Sequence, residues 1–312
     1  MEAVIAVFTV PFVNMAADFP VFFFEIVFNG VLTGVMYSLV ALGFVLIFKA
    51  SGVFNFAQGI MVLFAALSLV GLMEHGAPVW LALIVTIVIM IGLAFVIERL
   101  ILRYLINQEE IILFMATIGL AFFLEGFGET LWGSNVKPLN VGIPEIPMEW
   151  GGMLINSFDV FAAGTGAILV AGLALFFHYT PIGRALRAVA DDHQAALSVG
   201  IPLRSIWIIV WSVAGVVALV AGIMWGSKSG VQFSLSLIAL KALPVLILGG
   251  FTSVPGAIVG GLIIGVGEKI AEVYWGPLFG GAIEGWFAYM LALVFLLFRP
   301  QGLFGEKIIE RV

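Results

Sequence analysis

The chain has 312 residues, 62% of them hydrophobic and only 10% charged, with 28 phenylalanines and a formal net charge of −6. Soluble domains are nearer roughly 45–50% apolar with about a quarter of residues charged, so this composition excludes a water-coated globule and calls for an integral membrane protein. The acidic balance leaves no basic stripe for nucleic acid, and the absence of cysteine excludes a disulfide framework, a thiol nucleophile and a thiolate metal site.

In chain order, residues 1–24 open with "MEAVIAVFTVPFVNMAADFP", which carries Glu2 and no basic leader. That pattern predicts a short helix on the membrane surface rather than a cleaved signal peptide. Apolar runs near the roughly 20 residues that cross a bilayer follow. They predict spans at Glu25–Phe48, Ala57–Met73, Val79–Leu102, Ile111–Trp132, Phe158–His178 and Ser205–Trp225. Shorter or glycine-rich segments lie at Ser236–Gly249, Pro255–Val273 and Gly281–Phe298. The first of these three, roughly 21 Å long at 1.5 Å per residue, fits a tilted span or a re-entrant half-helix. Strand-like alternation is absent, so the expected fold is all-α. It is a single transmembrane domain over 1–312, a polytopic helical bundle of eight or nine spans or half-spans.

Lys and Arg set the orientation, because they collect on the cytoplasmic side of short loops. Nine crossings with the N-terminus outside place Lys49, Arg99, Arg103, Arg184, Arg187, Arg204, Arg299, Lys307 and Arg311 inside. Lys137, Lys228, Lys241 and Lys269 fall outside or at the outer edge. Residues 133–157 then form an outer loop whose Pro, Gly and Asn content predicts turns or a small hairpin. It is a solvated connector or a docking surface for an external protein. Residues 180–205 become the largest internal cytoplasmic loop, and 299–312 a cytoplasmic tail.

That inner loop, "GRALRAVADDHQAALSVGIPLRS", is the densest polar stretch in the chain. Asp191 or Asp192 can cap a helix N-terminus, and Gly200 followed by Pro202 is a stop. A helix of about eight residues, "HQAALSVG", is expected at the membrane face, too short to persist alone in water. Its small side chains, Ala195, Ala196 and Ser198, suit insertion into a groove on another protein. Arg184 and Arg187 can meet partner carboxylates or lipid phosphates. The plainer alternative is an ordinary loop with arginines on the inner side.

Two small-residue breaks interrupt apolar helices, "KASGVFNFAQG" and "LGGFTSVPGAIVGG", and at an offset of 200 the triplet Val45-Leu46-Ile47 meets Val245-Leu246-Ile247. This suggests an internal two-fold repeat with broken helices, a pattern that points to a translocation pathway. Gly52, Asn55 and Gln58 are the pathway candidates in the first break, with Asn55 also suited to cap a helix beginning at Phe56. Gly249, Gly250, Ser253 and Pro255 are the candidates in the second. Asn29, Thr33, Tyr37 and Ser38 recur at helical spacing and either line the pathway or bond between helices. Lys241, near Pro244, is expected to pair with Glu268 or Glu272. His75, His178 and His193 have no ligand spacing, so no metal site is expected. No Gly-Lys dipeptide exists to build a phosphate-cradling loop, so this chain is not expected to hydrolyse ATP by that chemistry, and no enzymatic activity is expected here.

Five stretches together resemble permeases of the branched-chain amino acid ABC importer family, similar to its first-permease type and to urea and amide importer permeases. They are "NGVLTGVMYSLVALGFVLIFKASGVFNFAQG", "MATIGLAFFLEG", "GRALRAVADDHQAALSVGI", "LPVLILGGFTSVPGAIVGGLIIG" and "FRPQGLFG". The resemblance implies a permease in a bacterial inner membrane, without a cofactor of its own. Its implied partners are a second permease or a second copy of itself, two cytoplasmic ATPases and a periplasmic binding protein. Asp191, Asp192, His193, Gln194, Ala195, Ala196 and Gly200, with Arg184 and Arg187, would form the ATPase-coupling segment. The cargo would be a branched-chain or other amino acid, urea, an amide or a related small polar solute. The competing reading is a self-sufficient channel or a proton-coupled carrier.

Overall fold

The computed structural model describes residues 2–105 and 108–305. Apart from one hairpin, its elements are helical. The helices are α1 (Glu2–Asp18), α2 (Val21–Ser51), α3 (Gln58–Glu74), α4 (Val79–Leu100), α5 (Glu110–Trp132), α6 (Ser157–Tyr179), α7 (Pro181–Asp191), α8 (His193–Ser198), α9 (Leu203–Ser229), α10 (Ile238–Gly249), α11 (Val254–Tyr274), α12 (Gly276–Phe279) and α13 (Glu284–Phe298). Among the described residues six helices are long and apolar enough to cross a membrane, and α3, α13 and the segment Phe233–Gly249 are shorter apolar helices. The all-α multi-span expectation therefore holds. The chain divides into two compact units, Met1–Ser38 with Ile143–Ile168 and Lys241–Val312, and Leu39–Gly142 with Leu169–Leu240.

In the first unit α2 and α11 cross at paired glycines. Added to Gly34, a Cβ would lie 2.6 Å from the Gly261 carbonyl oxygen, and one on Gly30 would lie 2.6 Å from the Val266 Cα. Without a hydrophobic force between helices in lipid, such close backbone approach supplies the association through packing. Ser38 Oγ reinforces the crossing by donating to the carbonyls of Gly34 at 2.8 Å and Ile258 at 3.2 Å. The outer loop forms the small hairpin its composition predicts, β1 (Pro147–Trp150) antiparallel to β2 (Met153–Asn156). It is fastened by Leu154 N–H donating to Glu25 Oε2 at 2.9 Å and by the edge-on contact of Phe28 with Trp150.

In the second unit α3 is the core. It is apolar all round and buried from Gln58 to Gly71, as a helix enclosed by other helices should be. Helices α4, α5 and α9 pack on it. The far faces of α4 and α5 expose Trp80, Val88, Ile91, Phe122 and Phe123, the pattern of surfaces that meet lipid.

Two sequence expectations need correction. The helix after the first break begins at Gln58 with Ala57 at its cap, not at Phe56; Asn55 instead accepts from Ala57 N–H at 3.1 Å, a turn bond that precedes the helix. The helix near Asp192 has six residues, His193–Ser198, rather than eight, because Val199 leaves the helix and Gly200 adopts φ +85°. The tail basic residues Lys307 and Arg311 lie outside the described residues.

Candidate functional site

In the second unit the 180–205 segment is more ordered than a loop. Thr180 Oγ1 accepts from Gly183 N–H at 3.2 Å and Pro181 sits in the first turn, starting α7 with two helix-initiating devices. Gly183 is required there, since any Cβ would strike the Phe177 carbonyl. Leu186 and Val189 are buried. Arg187 donates through Nη1 to the Phe177 carbonyl at 2.8 Å and through Nη2 to that of His178 at 3.4 Å, while Arg184 Nη1 reaches the Tyr179 carbonyl at 3.5 Å. Both arginines thus satisfy the otherwise unpaired carbonyls that end α6. Within the chain their role is to weld α7 to α6.

Asp191 ends α7 and Asp192 caps α8, accepting at Oδ1 from Gln194 N–H at 2.7 Å and Ala195 N–H at 3.0 Å. His193 opens α8, and its side chain lies outside the described residues. The expected small outward face is corrected in part. Of the three small residues, Ala195 and Ser198 are exposed as expected but Ala196 is buried at 2% exposure, and Leu197 and Val199, 45% and 75% exposed, are presented outward beside them. Gly200 N–H returns to the Leu197 carbonyl at 3.0 Å and Ile201 N–H to that of Ala196 at 3.0 Å, closing the turn so that Pro202 can start α9. The rigid product is a short helix with an apolar tip.

The first helix break lies in this same unit. Ser51 Oγ donates to the Ile47 carbonyl at 2.8 Å, Gly52 adopts φ +72°, and Trp207 Nε1 donates to the Ala50 carbonyl at 3.0 Å. Thr117 Oγ1 accepts from Phe56 N–H at 3.2 Å, and Phe44, Phe54, Phe56 and Phe114 form a chain of ring contacts. Asn55 and Gln58 are fully buried. Gln58 faces Gly43, and neither its Oε1 nor its Nε2 has a hydrogen-bond partner among the described residues. A cleft of about 470 Å³ joins break to coupling segment: Ser51, Gly52 and Val53 line one side, and Asp192, Gln194 and Trp207 another. So Gly52, Asp192 and Gln194 share one cleft, although the sequence assigned them to different roles.

The other pathway candidates fall in the first unit. Asn29 gives its carbonyl to Thr33 Oγ1 at 3.0 Å, a bond within α2 that serves the helix itself. Gly249 and Gly250 end α10; Ser253 Oγ accepts from Gly256 N–H at 3.0 Å and caps α11, with Pro255 in the first turn. The stretch after α13 seals this break, Leu303 N–H donating to the Leu248 carbonyl at 2.8 Å and Phe304 N–H to that of Gly249 at 3.1 Å.

At the opposite ends of α10 and α11, Lys241 Nζ lies 3.2 Å from Glu268 Oε1, 3.6 Å from Glu284 Oε1 and 3.5 Å from the Tyr37 hydroxyl. Lys269 Nζ lies 3.2 Å from Glu284 Oε2. Of the two expected partners of Lys241, Glu268 is the one found. Glu272 instead accepts from the N–H groups of Ala282 at 2.8 Å and Glu284 at 2.9 Å, where it favours the start of α13. Sequence reasoning missed Glu284 as a partner of Lys241.

The family described as "Branched-chain amino acid transport system / permease component" matches residues 26–299. The high-affinity branched-chain amino acid transport system permease protein LivH of Salmonella typhimurium is 28% identical over 312 residues, covering 93% of this chain and 98% of its own. Its counterpart BraD of Pseudomonas aeruginosa is 29% identical over 301 residues, covering 91% and 96%. The solved structure of PsaBC from Streptococcus pneumoniae in complex with Fab shares the fold, with a TM-score of 0.50 at 16% identity and coverage of 92% and 93%. These relatives are permease proteins of transport systems and not enzymes. Matched along most of its length, the chain belongs to the family of branched-chain amino acid transport system permease components.

Proposed function

We propose that this chain is the translocating permease subunit of an ABC importer for branched-chain amino acids. The cargo follows from relatives named for that transport over nearly their whole length. Two cytoplasmic ATPases grip α8, and a second permease or a second copy of this chain completes the membrane core. A periplasmic binding protein delivers cargo from outside. The whole chain works as one permease domain in the bacterial inner membrane, N-terminus outside and C-terminus inside, without a cofactor of its own.

The observation that carries this reading is the construction of the α7–α8 segment. Alone, a six-residue helix is not stable in water; here it is capped by Asp192, anchored through Ala196 and tipped with exposed Leu197 and Val199. That is the arrangement a push-rod needs: fixed at its root and apolar at its contact. It borders the cleft that also holds Gly52, so a displacement of α8 acts on the broken end of α2. Such a small rigid shift biases a two-state pathway.

The test is reconstitution with the partner chains in proteoliposomes. Leucine, isoleucine or valine uptake that requires both ATP and the binding protein supports the reading. Uptake by this chain alone, driven by a proton gradient, would overturn it.

A further inference from the structure

We propose that Lys241 and Glu268 form a docking site for the α-ammonium and α-carboxylate of a zwitterionic amino acid within the membrane; this inference rests on the amino-acid importer reading and deepens it.

Position comes first. Glu268 lies 14 residues along α11 from Val254, about 21 Å at 1.5 Å per residue. With α11 ending at Tyr274, this places Glu268 toward the outer end of a helix that crosses a hydrocarbon layer roughly 30 Å thick. Nevertheless the side chains of Lys241, Lys269 and Glu284 are 33%, 35% and 36% exposed. Charges exposed to lipid at such depth are expensive, and they characteristically face a water-filled path or another polar group.

The charge balance comes next. Two lysines and two glutamates meet, and Lys241 is shared between Glu268 and Glu284. Lys269 also holds Glu284 at 3.2 Å. Lys241 can therefore release Glu284 without leaving that carboxylate unpaired. Meanwhile Glu268, with its side chain 2% exposed, spends Oε1 on Lys241 and shares its carboxylate with the Tyr37 side chain, while Oε2 is buried with no close hydrogen-bond partner among the described residues. A buried carboxylate oxygen without a donor is costly, and an ammonium is the donor that best removes the cost.

An arriving amino acid meets both needs. Its carboxylate takes the place of Glu284 on Lys241, and its ammonium fills the vacancy at Glu268 Oε2. No net charge is buried in the exchange. A ligand with one charge engages only half the site and forgoes the other contact, which is the basis for discrimination.

The experiment uses the assembled importer in lipid nanodiscs without its binding protein, probed with radiolabelled leucine. Competitors are leucinol, which lacks the carboxylate, and 4-methylpentanoate, which lacks the ammonium. The wild type is expected to prefer leucine over each by at least about tenfold. Lys241→Met should erase the preference over leucinol, and Glu268→Gln that over 4-methylpentanoate. The double variant Lys241→Met with Glu268→Gln leaves neither charge unpaired, so it should keep the thermal midpoint and size-exclusion profile of the wild type while losing saturable leucine binding. No saturable leucine binding in the wild type, or an unchanged competition profile in the single variants, overturns the inference. Uptake assays with the binding protein separate the two levels. Variants that import leucine as the wild type does overturn the docking site alone, whereas a wild type that imports no branched-chain amino acid overturns the importer reading and the docking site with it.

Discussion

Arg204 Nε sits 3.1 Å from Oε1 of Glu98, a carboxylate 1% exposed, and so ties the first turn of α9 to the last turns of α4 directly after the coupling segment. Removing one partner of a buried pair costs far more than the pair itself contributes, because an uncompensated charge stays behind. Arg204 is half exposed, so Arg204→Met should destabilise the second unit by about 2 kcal/mol, below the 3–5 kcal/mol of fully buried pairs. Thermal unfolding of the detergent-purified complex checks this. The companion Glu98→Gln, which leaves behind only the half-exposed Arg204 charge, should lose less; equal or greater loss would contradict the account.

The exposed tip of α8 gives a functional prediction. Leu197→Asp or Val199→Asp places a charge where an apolar contact is expected and disturbs nothing buried. Uptake should fall at least about tenfold, the loss of roughly 1.4 kcal/mol or more of coupling, while the thermal midpoint and basal ATP hydrolysis stay near wild type. Ala196→Asp differs because Ala196 is buried, so stability should fall along with uptake. Parallel uptake and unfolding measurements separate the two classes.

The cap at Asp192 is a third point of leverage. Its side chain accepts two N–H groups of a six-residue helix, and substituting such a cap by alanine costs about 1 kcal/mol. Asp192→Ala should therefore loosen α8 locally. Faster amide hydrogen exchange over 193–200, with exchange in α9 unchanged, is the expected result; unchanged exchange over 193–200 would contradict it.

The α2–α11 crossing predicts a contrast between glycines. Gly261→Leu forces a side chain against the Gly34 carbonyl and Ser38 and should abolish accumulation of folded protein. Gly92→Ala, in α4 with open space around the position, should be tolerated or stabilising by up to about 1 kcal/mol, because alanine is the better helix former. Fluorescence-detected size exclusion of the two variants reads the difference.

How legible these features are in sequence follows from their locality. The breaks at Gly52–Gln58 and Gly249–Pro255 are readable because small and polar residues interrupt long apolar runs, and the cap at Asp192 is readable because capping is a short-range pattern. Helix α7 is not, although Thr180 and Pro181 are start signals, because Gly183 within two residues of Pro181 has the appearance of a turn. Only the three-dimensional approach to Phe177 reveals why glycine is there. Likewise, Glu268 and Glu272 stand one turn apart on one helix, so both were reasonable partners for Lys241. What separates them is the start of α13, whose N–H groups draw Glu272 away, and no sequence spacing encodes that. The outward turn of Leu197 and Val199 was missed for a similar reason: which face of a single-turn helix is buried depends on what it packs against.

Everything proposed for coupling depends on α8 meeting an ATPase on the inner face, and the absence of cysteine from the chain allows a direct measurement. Val199→Cys introduces a single thiol at the most exposed position of the tip. In the assembled importer a short bifunctional maleimide should link this position to an ATPase subunit, and an impermeant thiol reagent should reach it only from the inner side of the membrane. A thiol that stays free and fully reactive in the complete complex, or one labelled from outside, would contradict the account.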